Sequence, residues 1–343
     1  MRSSPPTSHC SARRWTVSAD LTTTVAGLEL KNPVIAGSCE ATATPGQIRA
    51  CLDAGAAAVV AKSVNESVAA HANLRAAEYV LLDESLRGRP LGPAQRADSL
   101  FCRSGLLEVE FEEWAETLAV LDREAAARDA YVVPSLIVAD LDRAVEAAAT
   151  FERAGLRWLE LNVGAPHASE APEGIGAGVE LVRRIRQAVS LPLTVKLAAT
   201  DSAADALAAG ADAVCIATRA MGFLPDLDTR RPVLGTFAAV GGAWALPLTL
   251  YRVAKTHAAH PEASIVATNG ARDGFDVARL LLAGASAVAL ATVVLTDGPA
   301  ALTRAVEVLA DYCEQQGATV RELIGEAARH VQTYEEVAIE RRH

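Results

Sequence analysis

Short apolar runs, each followed by a stretch of helical periodicity, recur along the chain and constrain its fold more than any other feature. These runs predict eight β-strands, at 33–37, 57–62, 131–138, 158–162, 193–197, 213–218, 264–268 and 287–292. Strands that alternate with helices form parallel sheets. Eight such units close an α/β fold of the (β/α)8 TIM-barrel type, and a barrel of about 250 residues plus insertions suits the chain length. An open doubly wound sheet is the alternative, but the strand number and even spacing favour closure.

Two segments stand outside this repeat. Residues 21–31 alternate around Ala26-Gly27 and predict a β-hairpin that caps the N-terminal end of the barrel. Residues 63–110 are too long for an ordinary connection and leave from the C-terminal end of the second strand. Because that end is the active face of such barrels, this insertion is a candidate lid or substrate wall. Residues 1–20 are expected to be disordered or loosely attached, and 21–343 to form one domain.

Charge and composition exclude several classes of partner. The net charge is −10 without a Lys/Arg cluster, so nucleic acid is not expected to bind. No apolar run reaches the roughly 18 residues of a membrane-spanning helix, and the first twenty residues lack the apolar block of a secretory signal. The six cysteines form no CxxC pair, which argues against a metal site or disulfide scaffold and favours a reducing cytoplasm.

The positions of the few lysines indicate what kind of ligand the protein binds. Only four of the 32 basic residues are lysines, yet Lys62 and Lys196 fall in apolar, strand-like runs. Two ammonium groups in the mouth of a barrel require an anionic or electron-rich partner, because an unpaired buried charge is costly. A phosphorylated cofactor would supply it. The alternative for each lysine is an internal ion pair, for instance between Lys62 and Glu160.

Small residues follow the last two predicted strands. Asn269-Gly270 comes after the seventh strand and Ala291-Thr292 after the eighth. Small side chains there let backbone N–H groups approach a phosphate, as barrel phosphate sites require. Tight turns without a ligand would produce the same residues.

Several of these segments follow one another in the order and spacing of one family. They are Lys31-Asn-Pro-Val-Ile-Ala-Gly-Ser38, Val59-Val-Ala-Lys-Ser63, Leu159-Glu-Leu-Asn162 with Ala165-Pro166-His167, Val195-Lys-Leu197, Gly241-Gly242, 265–270 and 284–292. Over about 21–326 the chain resembles the dihydroorotate dehydrogenase family, which includes the pyrimidine domain of dihydropyrimidine dehydrogenase. The resemblance implies an FMN-containing TIM barrel and a homodimer.

The resemblance also implies roles for individual residues. Ala36, Gly37 and Ser63 would lie along the flavin, and Lys62 would contact the isoalloxazine edge. Asn162 and Lys196 would hydrogen-bond the ring or ribityl chain. The remaining cofactor-binding candidates are Thr218 and, for the phosphate, Gly241, Gly242, Asn269, Gly270, Ala291 and Thr292. A cation at the N1/C2 edge stabilises the reduced, anionic flavin.

Departures from the family pattern concern the substrate side. The catalytic Cys or Ser of the family is replaced by Ala165, and 174–178 holds no cysteine in its place. Cys102, His167 and Thr218 stand where the family has asparagines that grip the pyrimidine ring. A site that hydrogen-bonds every edge of its substrate discriminates strongly, so these exchanges argue against dihydroorotate.

The proton in such a reaction needs another carrier. His167 is the first candidate, because it follows Pro166 in the loop above the flavin and titrates near neutrality. Cys102, in the inserted wall, is the second. His167 could instead only position the substrate as a neutral hydrogen-bonding group, and Cys102 could be a small buried filler.

The sequence thus predicts an FMN-dependent oxidoreductase that dehydrogenates or reduces a C–C or C–N bond of a small molecule. The recycling electron donor or acceptor is unknown. One alternative is an FMN-binding protein without catalysis. Another is a flavin-free barrel lyase or isomerase that binds a phosphorylated substrate and uses Lys62 or Lys196 as a Schiff-base nucleophile.

Overall fold

The structure is a computed structural model, and it describes residues 19–64, 77–105, 107, 109–137, 140–163, 175–198, 202–217 and 220–340. Within these ranges the strands are β1 Thr23–Val25, β2 Leu28–Leu30, β3 Val34–Ala36, β4 Ala58–Val60, β5 Glu78–Leu82, β6 Gly88–Pro90, β7 Ser99–Arg103, β8 Tyr131–Val133, β9 Ser135–Leu136, β10 Leu159–Asn162, β11 Leu193–Leu197, β12 Ala213–Ala217, β13 Ala220–Gly222, β14 Ala238–Gly242, β15 Ser264–Thr268 and β16 Ala287–Leu290.

A parallel sheet forms the centre of the molecule, with strands in the order β8-β4-β3-β16-β15-β12-β11-β10-β9. Its two edge strands are successive parts of one segment, 131–136, interrupted at Pro134. Val133 lies opposite Val60 of β4, whereas Ser135 lies opposite Glu160 of β10. The Pro134 carbonyl accepts a hydrogen bond from the Glu160 N–H at 2.9 Å. The sheet therefore closes, and the predicted eight-stranded barrel is confirmed.

Helices surround this barrel: α1 Pro45–Asp53, α2 Phe111–Ala126, α3 Leu141–Arg153, α4 Ile175–Ala188, α5 Ala203–Ala208, α6 Leu246–Ala259, α7 Gly274–Leu282, α8 Thr292–Asp297, α9 Ala300–Gln316, α10 Val320–Leu323 and α11 Tyr334–Glu340. No helix in the described ranges is both long and apolar enough to cross a membrane. The eighth predicted strand is too long, because the observed strand ends at Leu290 and Thr292 already begins α8.

The N-terminal end of the barrel is closed by apolar side chains. As predicted, β1 and β2 form a hairpin, and its turn residues Ala26 and Gly27 both have positive φ, as a two-residue hairpin turn requires. The Thr23 hydroxyl donates to the Ser286 carbonyl at 2.8 Å, which ties the hairpin to the start of β16. Trp158 fills the interior above the hairpin, and its Nε1 donates to Thr194 Oγ1 at 2.9 Å.

Polarity inside the barrel rises toward the opposite end. Strand residues alternate between the interior and the helix layer. The residues on the interior face are Glu160 and Asn162 of β10, with Trp158 just before it, and Thr194 and Lys196 of β11. Their neighbours on the other face are leucines and valine of the outer apolar core. Polar and charged side chains therefore gather at the C-terminal end, where a ligand could reach them.

A second sheet lies beyond that end, with antiparallel strands in the order β13-β14-β7-β5-β6. The predicted insertion, 63–110, supplies β5, β6 and β7. The other two strands come from the segment after β12, and this contribution was missed at the sequence level. We call the five strands the wall sheet. The wall is thus built by two distant parts of the chain.

Asp122 of α2 fixes the segment that closes the barrel. Its buried carboxylate accepts hydrogen bonds from the Val132 N–H at 2.8 Å and from Arg157 at 2.7 and 2.8 Å. We predict that Asp122→Ala lowers the free energy of unfolding by about 2–3 kcal/mol, because the Val132 N–H and the Arg157 guanidinium lose their partner. Urea denaturation of the purified variant measures this loss.

Glu124→Ala is the matched control, because Glu124 lies on the same helix as Asp122. Its ion pair, with Arg49 of α1, is at the surface. Surface ion pairs add little to stability, so this variant should lose much less. Equal losses in both variants would contradict the assigned role of Asp122.

Candidate functional site

Lys62 is held at the mouth of the barrel by a carboxylate. Its Nζ lies 2.7 Å from Glu40 Oε1, and its side chain is only 9% exposed. The alternative of an internal ion pair is thus confirmed for Lys62, but Glu160, given as the example of its partner, was wrong. Glu40 lies in the turn after β3, and its position beside the strand end was the signal that could have identified it.

Glu160 instead ends a line of hydrogen-bonded hydroxyl groups. The Ser135 hydroxyl donates to Glu160 Oε1 at 2.8 Å, and Ser63 Oγ lies 2.8 Å from Ser135 Oγ. Ser63 Oγ is also 3.2 Å from Ser38 Oγ. The line connects four strands, β3, β4, β9 and β10, and fixes Ser63 next to Lys62. Ser38, Ser135 and Glu160 were not among the predicted site residues.

Lys196 occupies the centre of the mouth. It lies on β11 opposite Asn162 of β10 and Cys215 of β12, and its side chain is partly buried. Its ammonium has no hydrogen-bond or ion-pair partner among the residues that the structure describes. The charge of Lys196 acts on the thiols of both Cys39 and Cys215, which places the ammonium near each of them.

The cysteines of the mouth are protonated at neutral pH. Burial raises the pKa of Cys39 to about 11, with a smaller contribution from Glu40. Burial also raises the pKa of Cys215 to about 12, and Glu160 adds to this effect. Their interpretation as packing residues agrees with these shifts.

The segments proposed for the phosphate meet at one side of the mouth. Asn269 and Gly270 both have positive φ, which turns the chain sharply after β15. A Cβ on Gly270 would lie 2.5 Å from the Leu246 backbone, so only glycine allows α6 to begin so close to this turn. The Thr249 hydroxyl of α6 donates to the Asn269 carbonyl at 2.9 Å and holds the two segments together.

Two helices begin here without a side-chain cap. The residues at the caps are Ala245 before α6 and Ala291 before α8. Alanine cannot accept a hydrogen bond through its side chain, so no side chain competes for the first N–H groups of α8. At the start of α6 the Leu246 N–H donates to the Ala243 carbonyl and Pro247 has no N–H, so this end offers no free donor at its first two residues. A Cβ on Gly37 would lie 3.3 Å from that of Ala291, so the end of β3 also approaches this point closely.

Gly241 and Gly242 connect the wall sheet to this region. They end β14 opposite Leu100 and Ser99 of β7. A Cβ on Gly241 would lie 2.8 Å from Asn269 Oδ1, which places the strand end directly against the turn after β15. The structure thus brings together the 241–242, 269–270 and 291–292 segments.

Of the two candidate proton carriers, the structure describes Cys102. Cys102 lies on β7, buried in an apolar cluster with Leu81, Leu100 and Ala239. These surroundings support the alternative that it is a packing residue. His167 and Thr218 lie outside the described residues, as do Ala165 and the loop that carries it.

Comparison with known proteins finds relatives of this chain among curated proteins. No protein-family model matches the chain. A protein of Aeropyrum pernix, provisionally named dihydroorotate dehydrogenase A (fumarate), is 28% identical over 324 residues, which cover 90% of this chain and 98% of that protein. The catalytic subunit of dihydroorotate dehydrogenase B (NAD(+)) from Methanothermobacter thermautotrophicus is 27% identical over 322 residues, which cover 89% and 97%. Dihydroorotate dehydrogenase A (fumarate) of Lactobacillus helveticus is 32% identical over 197 residues, which cover 54% and 64%.

The fold and the mouth define a TIM-barrel protein with lysines and small-residue turns at the C-terminal ends of its strands. Its curated homologues are dihydroorotate dehydrogenases at about 28% identity, and the chain is a divergent homologue of these oxidoreductases.

Proposed function

We propose that the protein is an FMN-dependent oxidoreductase that acts on a C–C or C–N bond of a small molecule. The observation that carries the proposal is the Lys196 ammonium, which lacks a partner among the described residues at the mouth of the barrel. The dihydroorotate dehydrogenase homologues are FMN-dependent flavoproteins. Bound FMN would supply the centre that accepts or donates hydride.

The residues present fit this cofactor. The backbone of Gly270 and the N–H groups where α8 begins after Ala291 would hold the phosphate. Ala36, Gly37 and Ser63 would lie along the cofactor, and small side chains there leave space for a flat ring. Gly241 and Gly242 end the wall strand beside the phosphate position.

Charged and amide groups would bind the ring end. Lys196, Asn162 and Thr218 would donate or accept hydrogen bonds at the ring and ribityl chain, and Lys62 would contact the ring edge. The positive charge of Lys196 there would favour the reduced form of the cofactor. The wall sheet would shield this position from water.

A substrate other than dihydroorotate is part of the proposal. Ala165 cannot accept a proton, and Cys102, His167 and Thr218 replace the ring-binding asparagines of the family. We assign proton transfer to the imidazole of His167 and, as second choice, to the thiol of Cys102. The electron partner is unassigned, and a cytoplasmic location remains a prediction.

The visible spectrum of the freshly purified protein tests the cofactor. We expect a flavin spectrum and, after denaturation, release of FMN identified by chromatography. Lys196→Met should weaken FMN retention by roughly tenfold or more, because a charged hydrogen bond to the ring is lost. Lys255→Met is the matched control, since Lys255 is exposed on α6. A protein that stays colourless after reconstitution with FMN would refute the proposal.

We predict a different result for His167→Ala. This variant should retain FMN and show slower reduction of the flavin by substrate, by roughly 100-fold or more, because the proton carrier is missing. Stopped-flow absorbance measures this rate, and Cys102→Ala tests the second choice in the same way. Normal turnover by His167→Ala would show that its assigned role is wrong.

A homodimer is also proposed, and exposed apolar side chains support it. Phe223 and Phe237, on the β13 and β14 hairpin, are 55% and 65% exposed, and their rings lie 5.6 Å apart. Surface aromatic groups of this kind mark interaction sites. Sedimentation should show a dimer at micromolar concentration, and Phe223→Ser with Phe237→Ser should shift it toward monomer. If the double variant sediments as a dimer like the unmodified protein, this surface is not the interface.

A further inference from the structure

Glu40 is placed by its backbone as well as by its ion pair. It opens a short 3-10 turn, Glu40–Thr42, which is separated from the end of β3 by three residues. Thr42 Oγ1 donates to the Cys39 carbonyl at 2.9 Å and accepts from the Cys39 N–H at 3.1 Å, which closes the turn. The Lys62 N–H donates to the Thr42 carbonyl at 3.0 Å. Lys62 is thus bound to this turn through both its main chain and its side chain.

The pairing changes the charge that a ligand meets. At this corner the Lys62 ammonium pairs with the Glu40 carboxylate at 2.7 Å, and the formal charges of the pair sum to zero. Lys62 is already neutralised, so it offers little net attraction to a second anion. A substrate carboxylate beside Lys62 would also lie beside Glu40, and like charges at such distances repel by several kcal/mol when shielded from water.

Glu40 keeps further capacity for hydrogen bonds. An ionised carboxylate only accepts, and it has room for several donors on its two oxygens. Its side chain is 31% exposed although Lys62 is buried. A ligand group that approaches this corner is therefore favoured when it brings N–H donors and disfavoured when it brings a carboxylate.

We propose that Glu40 is a specificity-determining residue that excludes substrate carboxylates from the Lys62 corner and selects an uncharged substrate with an N–H donor. The inference rests on the proposed function for the position of the substrate. It adds the chemical class of that substrate and the residue that selects it.

Calorimetric titration with orotate and uracil tests this selection, because the two probes share a ring and differ in the carboxylate. Glu40→Gln should raise the affinity for orotate by roughly tenfold or more, since the Lys62 charge is no longer neutralised. Its affinity for uracil should change by less than about threefold. The double variant Glu40→Gln with Lys62→Met should lose the gain, because the gain needs the ammonium.

Glu124→Gln is the matched control, since it removes an ion-paired carboxylate far from the mouth, and it should leave both titrations unchanged. An unchanged orotate affinity in Glu40→Gln would overturn the inference, whatever the flavin content. FMN content is measured separately from the visible spectrum. A protein that binds no FMN but gains orotate affinity in Glu40→Gln would refute the proposed function and leave the charge selection standing.

Discussion

Segment 131–136 closes the barrel, and every later feature of the molecule depends on that closure. One short stretch completes the ladder on both sides, with β4 before Pro134 and with β10 after it. Closure brings the C-terminal ends of all the barrel strands into one ring. Ser63 after β4 and Glu160 on β10, which are distant in sequence, both contact Ser135 only because of it. An open sheet would have spread them along an edge.

Much of this architecture could be predicted from the sequence. Apolar runs of strand length and their spacing predicted the barrel strands, and positive-φ residues Ala26 and Gly27 lie where the hairpin turn was expected. These signals are local. The partner of Lys62 and the second half of the wall sheet depend on tertiary contacts, which a single sequence does not encode as a pattern. Glu40 is close to β3 in sequence, but its contact with Lys62 crosses from one strand end to the next.

The site combines a family framework with individual side chains. Small residues and turns at 241–242, 269–270 and 291–292 present backbone groups at one side of the mouth. The Lys62 corner is instead fixed by side chains, through the ion pair of Lys62 with Glu40. Substitutions of these side chains can therefore leave the backbone turns in place.

The shared construction of the wall sheet has a consequence for engineering. Because β7 pairs with both β5 and β14, neither chain segment can be exchanged alone without leaving strand edges unpaired. Grafting a specificity loop from a relative would have to replace 78–103 and 220–242 as one unit. The second graft would also carry Gly241 and Gly242, so a chimera would also change the residues that lie against the turn at Asn269.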